Sequence, residues 1–341
     1  MLDERTKKIL YAVIQSYINN PEPVGSRYVT KKYDFGVSPA TIRNIMADLE
    51  ELGFLTQPHT SAGRVPTDMG YRFFVDSLLK EGCIKFDDDL ARTFVSRLKE
   101  IRNDMDVYFS EVTSMLSRMS NYMGIAQAPK TDVTTFKRIE LIRYRTNSVA
   151  AVLLTNEGLI KHRVIQVEDI FSQKDLNRLS EYLNSEYSGL SIDEVKVLLL
   201  RRLKYEKVVL DRLIDKALSM YEQVLSFSDG DIYMEGLLDI LALPDFADVS
   251  RIKQIYKAIK DKQIMLKIID SIGKTDGVKV IIGKENQFEE LSRCSIVAST
   301  YGYKGKKMGV IALIGPTRMD YSKAISMVDF VSVCLSKTFS E

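Results

Sequence analysis

The chain has 341 residues, of which 45% are hydrophobic and 28% are charged, and its formal net charge is +2. These values are typical of a soluble protein with two or three domains, and no apolar run reaches the roughly 18 residues of a membrane span. The first residues, MLDERTKK, lack the pattern of a secretory signal, and the three cysteines are too scattered for a disulfide framework or a zinc motif. We therefore expect a cytoplasmic protein with no membrane partner.

The N-terminal segment is predicted to be a supporting helix. Residues 3–19 place apolar side chains at helical spacing, and the sequence PEPVG at residues 21–25 ends the pattern. We assign this helix a packing role and no contact with a ligand.

Residues 26–67 read as a short helix, a tight turn, a second helix and a two-stranded ribbon. The second helix has a clear start and end, because Ser38 can cap it, Pro39 suits its first position, and Gly53 ends it. The ribbon surrounds the loop PHTSAG, which has a proline at its entrance and a glycine near its tip. Helix, turn, helix and ribbon together predict a winged helix-turn-helix, which binds DNA.

The polar face of the second helix carries the predicted base contacts. Arginine bonds a guanine edge through two donors, asparagine does the same with adenine, and threonine offers a hydroxyl and a methyl group. We therefore expect Thr41, Arg43 and Asn44 to read bases. An ordinary amphipathic helix with a solvated polar face is the alternative for this helix taken alone. The residues predicted to hold the DNA backbone and minor groove are Arg27, Ser38, His59, Thr60, Ser61, Gly63 and Arg64.

After the ribbon, residues 68–80 are predicted to form a packing helix, on which we interpret Arg72 as solvated, with a contact to a DNA phosphate as the alternative. Residues 91–119 then carry apolar side chains at alternating spacings of three and four, which is a heptad seam. We interpret residues 81–120 as a long spacer helix that packs beside a neighbouring element or the other subunit. A helix that lies on the sheet of its own domain is the alternative.

Strand patterns occur in two groups. FKRIELIRY, SVAAVLLT and LIKHRVIQV form the first group from residue 136 onwards, and VKVIIG, RCSIVASTY and KMGVIALIG form the second from residue 278. A closing helix follows at residues 321–339. Between the groups, residues 172–272 read as mostly helical, which is more chain than a crossover between strands needs. The simplest interpretation is an α+β fold, with helices on an antiparallel sheet, interrupted by an inserted helical region.

The segment VSPATIRNIMADLEELGFLTQPHTSAGRVPTDMGYRFFVD, residues 37–76, resembles the signature region of the HrcA family of bacterial heat-shock repressors. PHTSAGR followed by PTDMGYR is specific to that family rather than to winged helices in general. The resemblance covers essentially the whole chain, more weakly after residue 76. It implies a GAF-like sensor domain interrupted by a domain that dimerises. It also implies a CIRCE inverted-repeat operator of chaperone operons, and the chaperonin GroEL as a partner that promotes the active repressor.

The predicted organisation is α+β and multidomain. Residues 1–80 form the winged helix-turn-helix domain, and residues 81–120 form the spacer helix. The GAF-like α+β domain combines residues 121–171 and 273–341. The largely helical dimerisation region is inserted as residues 172–272.

Catalytic motifs are absent from the sequence. GKT at residues 273–275 resembles the end of a phosphate-binding loop, but Ile268 stands where that loop needs a glycine. G-x-S-x-G, H-E-x-x-H and G-x-G-x-x-G do not occur. The sequence therefore predicts a protein that is not an enzyme and that has no cofactor and no metal site.

The leading hypothesis is a transcriptional repressor that binds double-stranded DNA at an inverted repeat as a homodimer. One alternative is a regulator that senses a small molecule through the GAF-like domain. Another is a winged helix that contacts only proteins. Salt dependence distinguishes this last alternative, because DNA binding weakens steeply as salt is added.

Overall fold

The computed structural model describes residues 2–59, 62–82, 86–101, 104–129, 134–158, 160–167, 170–205, 231–246, 248–273, 277–303 and 305–339. Its helices are α1 Glu4–Asn19, α2 Ser26–Lys32, α3 Pro39–Glu51, α4 Asp68–Glu81, α5 Asp88–Glu100, α6 Met105–Ser120, α7 Gln173–Tyr187, α8 Ile192–Tyr205, α9 Leu237–Leu241, α10 Val249–Lys260, α11 Lys262–Gly273 and α12 Tyr321–Thr338. Its strands are β1 Leu55–Thr56, β2 Val65–Pro66, β3 Met123–Gln127, β4 Phe136–Arg145, β5 Ser148–Thr155, β6 Ile160–Gln166, β7 Ile232–Glu235, β8 Val278–Ile282, β9 Cys294–Tyr303 and β10 Lys306–Pro316. Within these ranges, no helix has the length and apolar character to cross a membrane.

The strands form three antiparallel sheets, which confirms an α+β fold of helices and antiparallel sheets. β1 and β2 form a two-stranded ribbon, and β4, β5 and β6 form a three-stranded sheet in chain order. The other strands form a five-stranded sheet in the order β7-β3-β10-β9-β8. β9 and β10, which contain two strand patterns of the second predicted group, pair along most of their length, with Ala312 opposite Ala298.

Helices cover both faces of the five-stranded sheet. In β3 the neighbours Ile125 and Ala126 are both buried, but they belong to different cores. One face packs against α6 and α12, and the other packs against α10 and α11. The nearly continuous apolar sequences of β9 and β10 follow from this double burial, since a strand with one wet face alternates instead.

The three-stranded sheet has its own core and a helix along its edge. Its inner face packs against α7 and α8, where Ile139 and Leu153 are buried. Ser180 of α7 accepts a hydrogen bond from the Leu141 N–H at 3.1 Å. Asn184 accepts one from the Ile139 N–H at 2.7 Å and donates one to the Ile139 carbonyl at 3.1 Å. The helix thus satisfies backbone groups of β4 that a further strand would otherwise bond.

The sheets place the interruption of the chain differently from the sequence prediction, which joined residues 121–171 to residues 273–341 and made residues 172–272 the insertion. In the structure, β4, β5 and β6 form their own sheet with α7 and α8, whereas β7 pairs with β3 in the five-stranded sheet. The interruption therefore lies between β3 and β7. Periodicity identifies a strand but not the sheet that it joins, and β3 and β7 are too short for a clear pattern. The predicted helical continuation over residues 206–230 lies outside the described residues.

The predicted long spacer helix is two helices. α5 ends at Glu100, and α6 begins after Asp104, whose carboxylate accepts hydrogen bonds from two N–H groups of the first turn at 3.1 Å. An aspartate in this position caps a new helix instead of continuing the old one. The apolar seam is buried within the same chain, since the rings of Phe94 and Phe330 of α12 have centroids 5.9 Å apart. The alternative interpretation, a helix packed on its own domain, therefore describes the seam better.

The N-terminal elements share a core with the five-stranded sheet. We call α1–α4 with β1 and β2 the head, and the five-stranded sheet with its helices the body. Ile9 of the head belongs to the same buried cluster as Ile311 and Val328 of the body. The rings of Tyr71 in α4 and Tyr321 in α12 have centroids 5.7 Å apart. The head is therefore packed directly against the body.

Two arginines add polar bonds to this contact. Arg72 of α4 donates from its Nε to Glu285 of the body at 2.7 Å. Arg318 of the body donates to both carboxylate oxygens of Asp245 at 2.7 Å and to the Ile18 carbonyl of α1 at 3.3 Å. Arg72 is thus a bridge between head and body, not the solvated arginine that the sequence suggested. Its partner lies 213 positions away in the chain, where no local pattern reveals it.

Replacing Arg72 by methionine should destabilise the protein. The substitution removes the charged hydrogen bonds to Glu285, so we expect the free energy of unfolding to fall by about 1–3 kcal/mol. Arg92→Met is the matched control, because the Arg92 side chain is 82% exposed and its partner Asp89 is 92% exposed. The control should change stability by less than about 0.5 kcal/mol. Urea unfolding followed by circular dichroism measures both variants, and equal stability would contradict the bridging role.

Candidate nucleic-acid interface

Helix α3 has the caps that its sequence predicts. Ser38 is the N-cap, its Oγ accepts a hydrogen bond from the Thr41 N–H at 3.2 Å, and Pro39 is the first helical residue. Gly53 has a φ of +80°, and the N–H groups of Gly53 and Phe54 bond back to carbonyls of the last turn. A left-handed glycine that ends a helix in this way fixes the direction of the chain that follows. The ribbon therefore starts from a defined point at the end of α3.

The polar face of α3 is open to solvent. Thr41, Arg43 and Asn44 are exposed, whereas Ile42 on the opposite face is completely buried. The Thr41 hydroxyl lies 3.0 Å from the Ser38 hydroxyl, which orients it. The side chains of Arg43 and Asn44 form no hydrogen bond or ion pair within the described part of the chain. Two turns of helix thus present a hydroxyl, a guanidinium and an amide, which are the groups that bond base edges.

The ribbon lies against the segment before α2. Val24 and Arg64 exchange two backbone hydrogen bonds of 2.9 Å, which extends the ribbon by one pairing. Gly63 permits this approach, because a Cβ at that position would lie 2.4 Å from the carbonyl carbon of Val24. Gln57 closes the loop by donating from its Nε2 to the Ala62 carbonyl at 2.8 Å. Gly63, which the sequence predicted as a DNA contact, therefore has a packing reason to be glycine.

Arg64 is bonded by the protein itself. Its Nε and Nη2 both donate to Oε2 of Glu50 in α3, at 3.1 and 2.9 Å, and its side chain is only 16% exposed. This ion pair connects the ribbon to the last turn of α3. The sequence predicted Arg64 as a DNA contact but gave no sign of this partner, 14 positions away.

The remaining predicted DNA contacts lie in α2 and in the loop of the ribbon. Arg27 in α2 and His59 in the loop are both exposed. Sequence reasoning overlooked Tyr28, which is 48% exposed beside Arg27, and its contact with Lys32, whose Nζ lies 5.4 Å from the centre of the Tyr28 ring. A tyrosine four residues before a lysine on an exposed helix is the signal that indicates such a pair. The predicted contacts that lie outside the described residues are Thr60 and Ser61.

Replacing Gly63 by alanine should displace the ribbon. The added Cβ would overlap the Val24 carbonyl, so we expect a loss of about 1–3 kcal/mol in the free energy of unfolding. Gly25→Ala is the control in the same segment, because a Cβ at Gly25 meets no atom within 4 Å. It should cost less than about 1 kcal/mol, the difference between glycine and alanine at the N-cap of α2. Thermal melts of the two variants measure the difference, and a Gly63→Ala variant as stable as Gly25→Ala would contradict the close approach.

Comparison with known proteins agrees with this architecture. The family model for the HrcA protein C-terminal domain matches residues 106–325. The heat-inducible transcription repressor HrcA of Thermodesulfovibrio yellowstonii is 46% identical over 344 residues, which cover 100% of this chain and 99% of that protein. HrcA of Geobacter sulfurreducens is 39% identical and covers 98% of both chains. A crystal structure of a protein described as hypothetical is 24% identical, has a TM-score of 0.75 and covers 100% of this chain and 99% of its own, so it has the same fold. The chain belongs to the HrcA family of heat-inducible transcription repressors, which are not enzymes.

Proposed function

We propose that the protein is a sequence-specific repressor of chaperone operons that binds a CIRCE-type inverted repeat in double-stranded DNA. In this proposal the head is a winged helix-turn-helix, α3 is its reading helix, and β1, β2 and their loop are its wing. The observation that carries the proposal is the exposed polar face of α3, where the donors of Arg43 and Asn44 are not used by the described residues. Membership of a family of transcription repressors supports the same function.

The contacts divide between bases and phosphates. Thr41, Arg43 and Asn44 read base edges from the first two turns of α3, and the Ser38 hydroxyl adds a donor at the helix start. Arg27 and His59 are exposed on either side and contact the DNA backbone. The wing loop, with Thr60, Ser61 and Gly63, lies over the minor groove.

The rest of the chain holds two heads at a fixed spacing. In this proposal the body is a GAF-like domain, and the three-stranded sheet with α7 and α8 is the inserted dimerisation domain. The placement of that sheet between β3 and β7 supports this division, because the chain leaves the body and returns to an adjacent strand. An inverted repeat requires two heads related by a two-fold axis, which a symmetric homodimer supplies.

The outer face of the three-stranded sheet is the surface that we propose for this dimer. Ile142, Ala150 and Val164 stand opposite one another across the three strands, and Ile142 and Val164 are each 49% exposed. Val152 and Leu154 continue an apolar stripe along β5, beside the polar neighbours Glu140, His162 and Arg138 on the adjacent strands. A second copy of the chain suits this face, because a two-fold contact pairs the same apolar patch with itself.

Heat and the chaperonin GroEL regulate the repressor in this proposal. The head reaches its position only when residues far apart in the chain have met, such as Arg72 and Glu285, which are 213 positions apart. Contacts between residues so far apart in the chain form slowly, and the partly folded chain exposes apolar surface until they have formed. A chain of this kind benefits from a chaperonin, and scarcity of free chaperonin during heat would then lower the amount of active repressor.

A ligand-responsive regulator is the second candidate. A cavity of about 200 Å³ lies between β8 and α11, and Lys279, Phe288 and Glu285 line part of it. Because Glu285 also bonds Arg72 of the head, a small molecule in this cavity has a route to the reading helix. A change in DNA affinity on adding a metabolite, with GroEL absent, would favour this candidate over the first.

Replacing Arg43 by alanine should weaken and relax DNA recognition. We expect a loss of about 1–3 kcal/mol on a CIRCE duplex, because a two-donor contact to guanine is removed, and a much smaller loss on a scrambled duplex. Arg92→Ala is the control, since it makes the same charge change at an exposed arginine of α5. Fluorescence anisotropy of the full chain at two salt concentrations measures the affinity of each variant for each of the two duplexes.

The outcomes separate the hypotheses. Equal weakening on both duplexes by Arg43→Ala and by Arg92→Ala would contradict base reading by Arg43. If the unmodified protein showed no selectivity even with GroEL and ATP, the DNA-reading function itself would be contradicted. The interaction-module alternative would then be preferred.

Replacing Ile142 by glutamate should convert the dimer to a monomer. A carboxylate forced into an apolar contact costs several kcal/mol, which is enough to shift the association by orders of magnitude. Val333→Glu is the control, because Val333 is 44% exposed on α12, away from the three-stranded sheet. Size-exclusion chromatography with light scattering measures the mass of each variant. A dimer that survives Ile142→Glu would rule out this face.

A further inference from the structure

The ion pair between Glu50 and Arg64 lies at the base of the wing. Two donors of Arg64 converge on one carboxylate oxygen of Glu50, and the two side chains are 16% and 32% exposed. The backbone of Arg64 is bonded as well, to Val24 on both its N–H and its carbonyl. Arg64 is therefore fixed at its main chain and through two of its five guanidinium donors, so the side chain cannot turn towards DNA without breaking an existing bond.

The position of Glu50 separates this pair from the bases. Glu50 follows Asn44 by six residues in α3, so it stands about 9 Å further along the helix axis, at a rise of 1.5 Å per residue. The base-reading residues occupy the opposite end of the helix. The pair is thus placed where it sets the angle between wing and helix, and not where base edges are read.

We propose that Arg64 is a positioning residue, which together with Glu50 holds the wing at the angle to α3 that lets both reach the DNA at once. This inference rests on the proposed DNA-reading function and replaces the contact role that the sequence indicated for Arg64. A second bond supports the base of the wing, because the Thr67 hydroxyl donates to the Gly53 carbonyl at 2.6 Å. That bond fixes where the ribbon returns to the end of α3, and the ion pair fixes the side that faces α2.

The two roles predict opposite effects for the removal of Glu50. If Arg64 held a phosphate, removing Glu50 would free the guanidinium and remove a negative charge near DNA, so affinity would rise and the salt dependence would steepen. If Arg64 positions the wing, removing Glu50 releases the wing, and selective affinity falls although the protein has become less acidic. The sign of the change therefore decides between them.

The test uses the full chain on CIRCE and scrambled duplexes, with Glu50→Ala against Glu51→Ala. Glu51 is the next residue, is exposed, and has no described partner, so the control removes the same charge from the same helix end. We expect Glu50→Ala to lower affinity for the CIRCE duplex about tenfold, which is the size of a lost charged hydrogen bond. Glu51→Ala should leave affinity unchanged or slightly higher. The affinity of Glu50→Gln, which keeps a hydrogen-bond acceptor, should lie between those of Glu50→Ala and Glu51→Ala.

Arg64 is tested by its salt dependence. Arg64→Met should reduce CIRCE affinity without changing the slope of log affinity against log salt, and the double variant with Glu50→Ala should lose no more than either single one. A slope reduced by about one would assign Arg64 to a phosphate and overturn the proposal. A CIRCE affinity that rises in Glu50→Ala would overturn it too.

A readout without DNA keeps the proposal separate from the proposed function. Amide hydrogen exchange at Val24 and Arg64 should quicken in Glu50→Ala and not in Glu51→Ala, because release of the side chain loosens the pairing of these two residues. Unchanged exchange in Glu50→Ala would overturn the positioning role, whatever the DNA measurements give. Faster exchange in Glu50→Ala, with no selective DNA binding by the unmodified chain, would support the structural role of the ion pair. It would contradict only the repressor function.

Discussion

The position of α3, the proposed reading helix, depends on the contact between the head and the edge of the five-stranded sheet. β8 is an edge strand, and Arg72 donates to its Val280 carbonyl at 2.8 Å while it bonds Glu285. Glu285 also accepts a hydrogen bond from a backbone N–H of the same strand, at 2.8 Å. The head thus donates to a backbone carbonyl of the edge strand, as a sixth strand would. It therefore packs only where the edge presents these groups. From α4 the constraint passes to α3 through Thr67, which caps α4 and donates to the Gly53 carbonyl.

In each of the two larger sheets, side chains of a helix cover one edge strand, but the faces of the two sheets differ in exposure. At β8 an arginine of α4 covers the edge, and at β4 the side chains of α7, including Ser180 and Asn184, do the same. Covered edges discourage the strand-to-strand pairing that leads to open-ended aggregation. The five-stranded sheet is also covered on both faces, whereas Ile142 and Val164 of the three-stranded sheet remain half-exposed. In the proposed dimer, the covered edge at β4 and the half-exposed side chains of Ile142 and Val164 favour association through the face of the sheet, where a two-fold contact can end it.

Local structure was predictable where a single residue decides it. Ser38, Pro39 and Gly53 bound α3 as their chemistry requires, and Ser172 caps α7 in the same way. The sequence prediction did not separate β4–β6 into their own sheet, although their burial alternates more than that of β9 and β10, because periodicity does not identify the sheet that a strand joins. The side-chain partners of Arg64 and Arg72 were also hidden, since a charged residue looks solvated until its distant partner is placed beside it. The exposed face of α3 needed no distant partner, so the proposed base contacts could be drawn from the sequence alone.

The contact between head and body is less favourable than apolar packing alone would make it. Tyr71 is almost fully buried there, burial raises its pKa, and its hydroxyl has no hydrogen-bond partner within the described ranges. An unpartnered buried hydroxyl costs about 1–3 kcal/mol, and the ion pair of Arg72 is itself partly open to water. None of these groups lies on the exposed face of α3. In the proposed dimer, a shift of the head on the body would change the spacing of the two heads and weaken binding to an inverted repeat, without altering the side chains on the exposed face of α3.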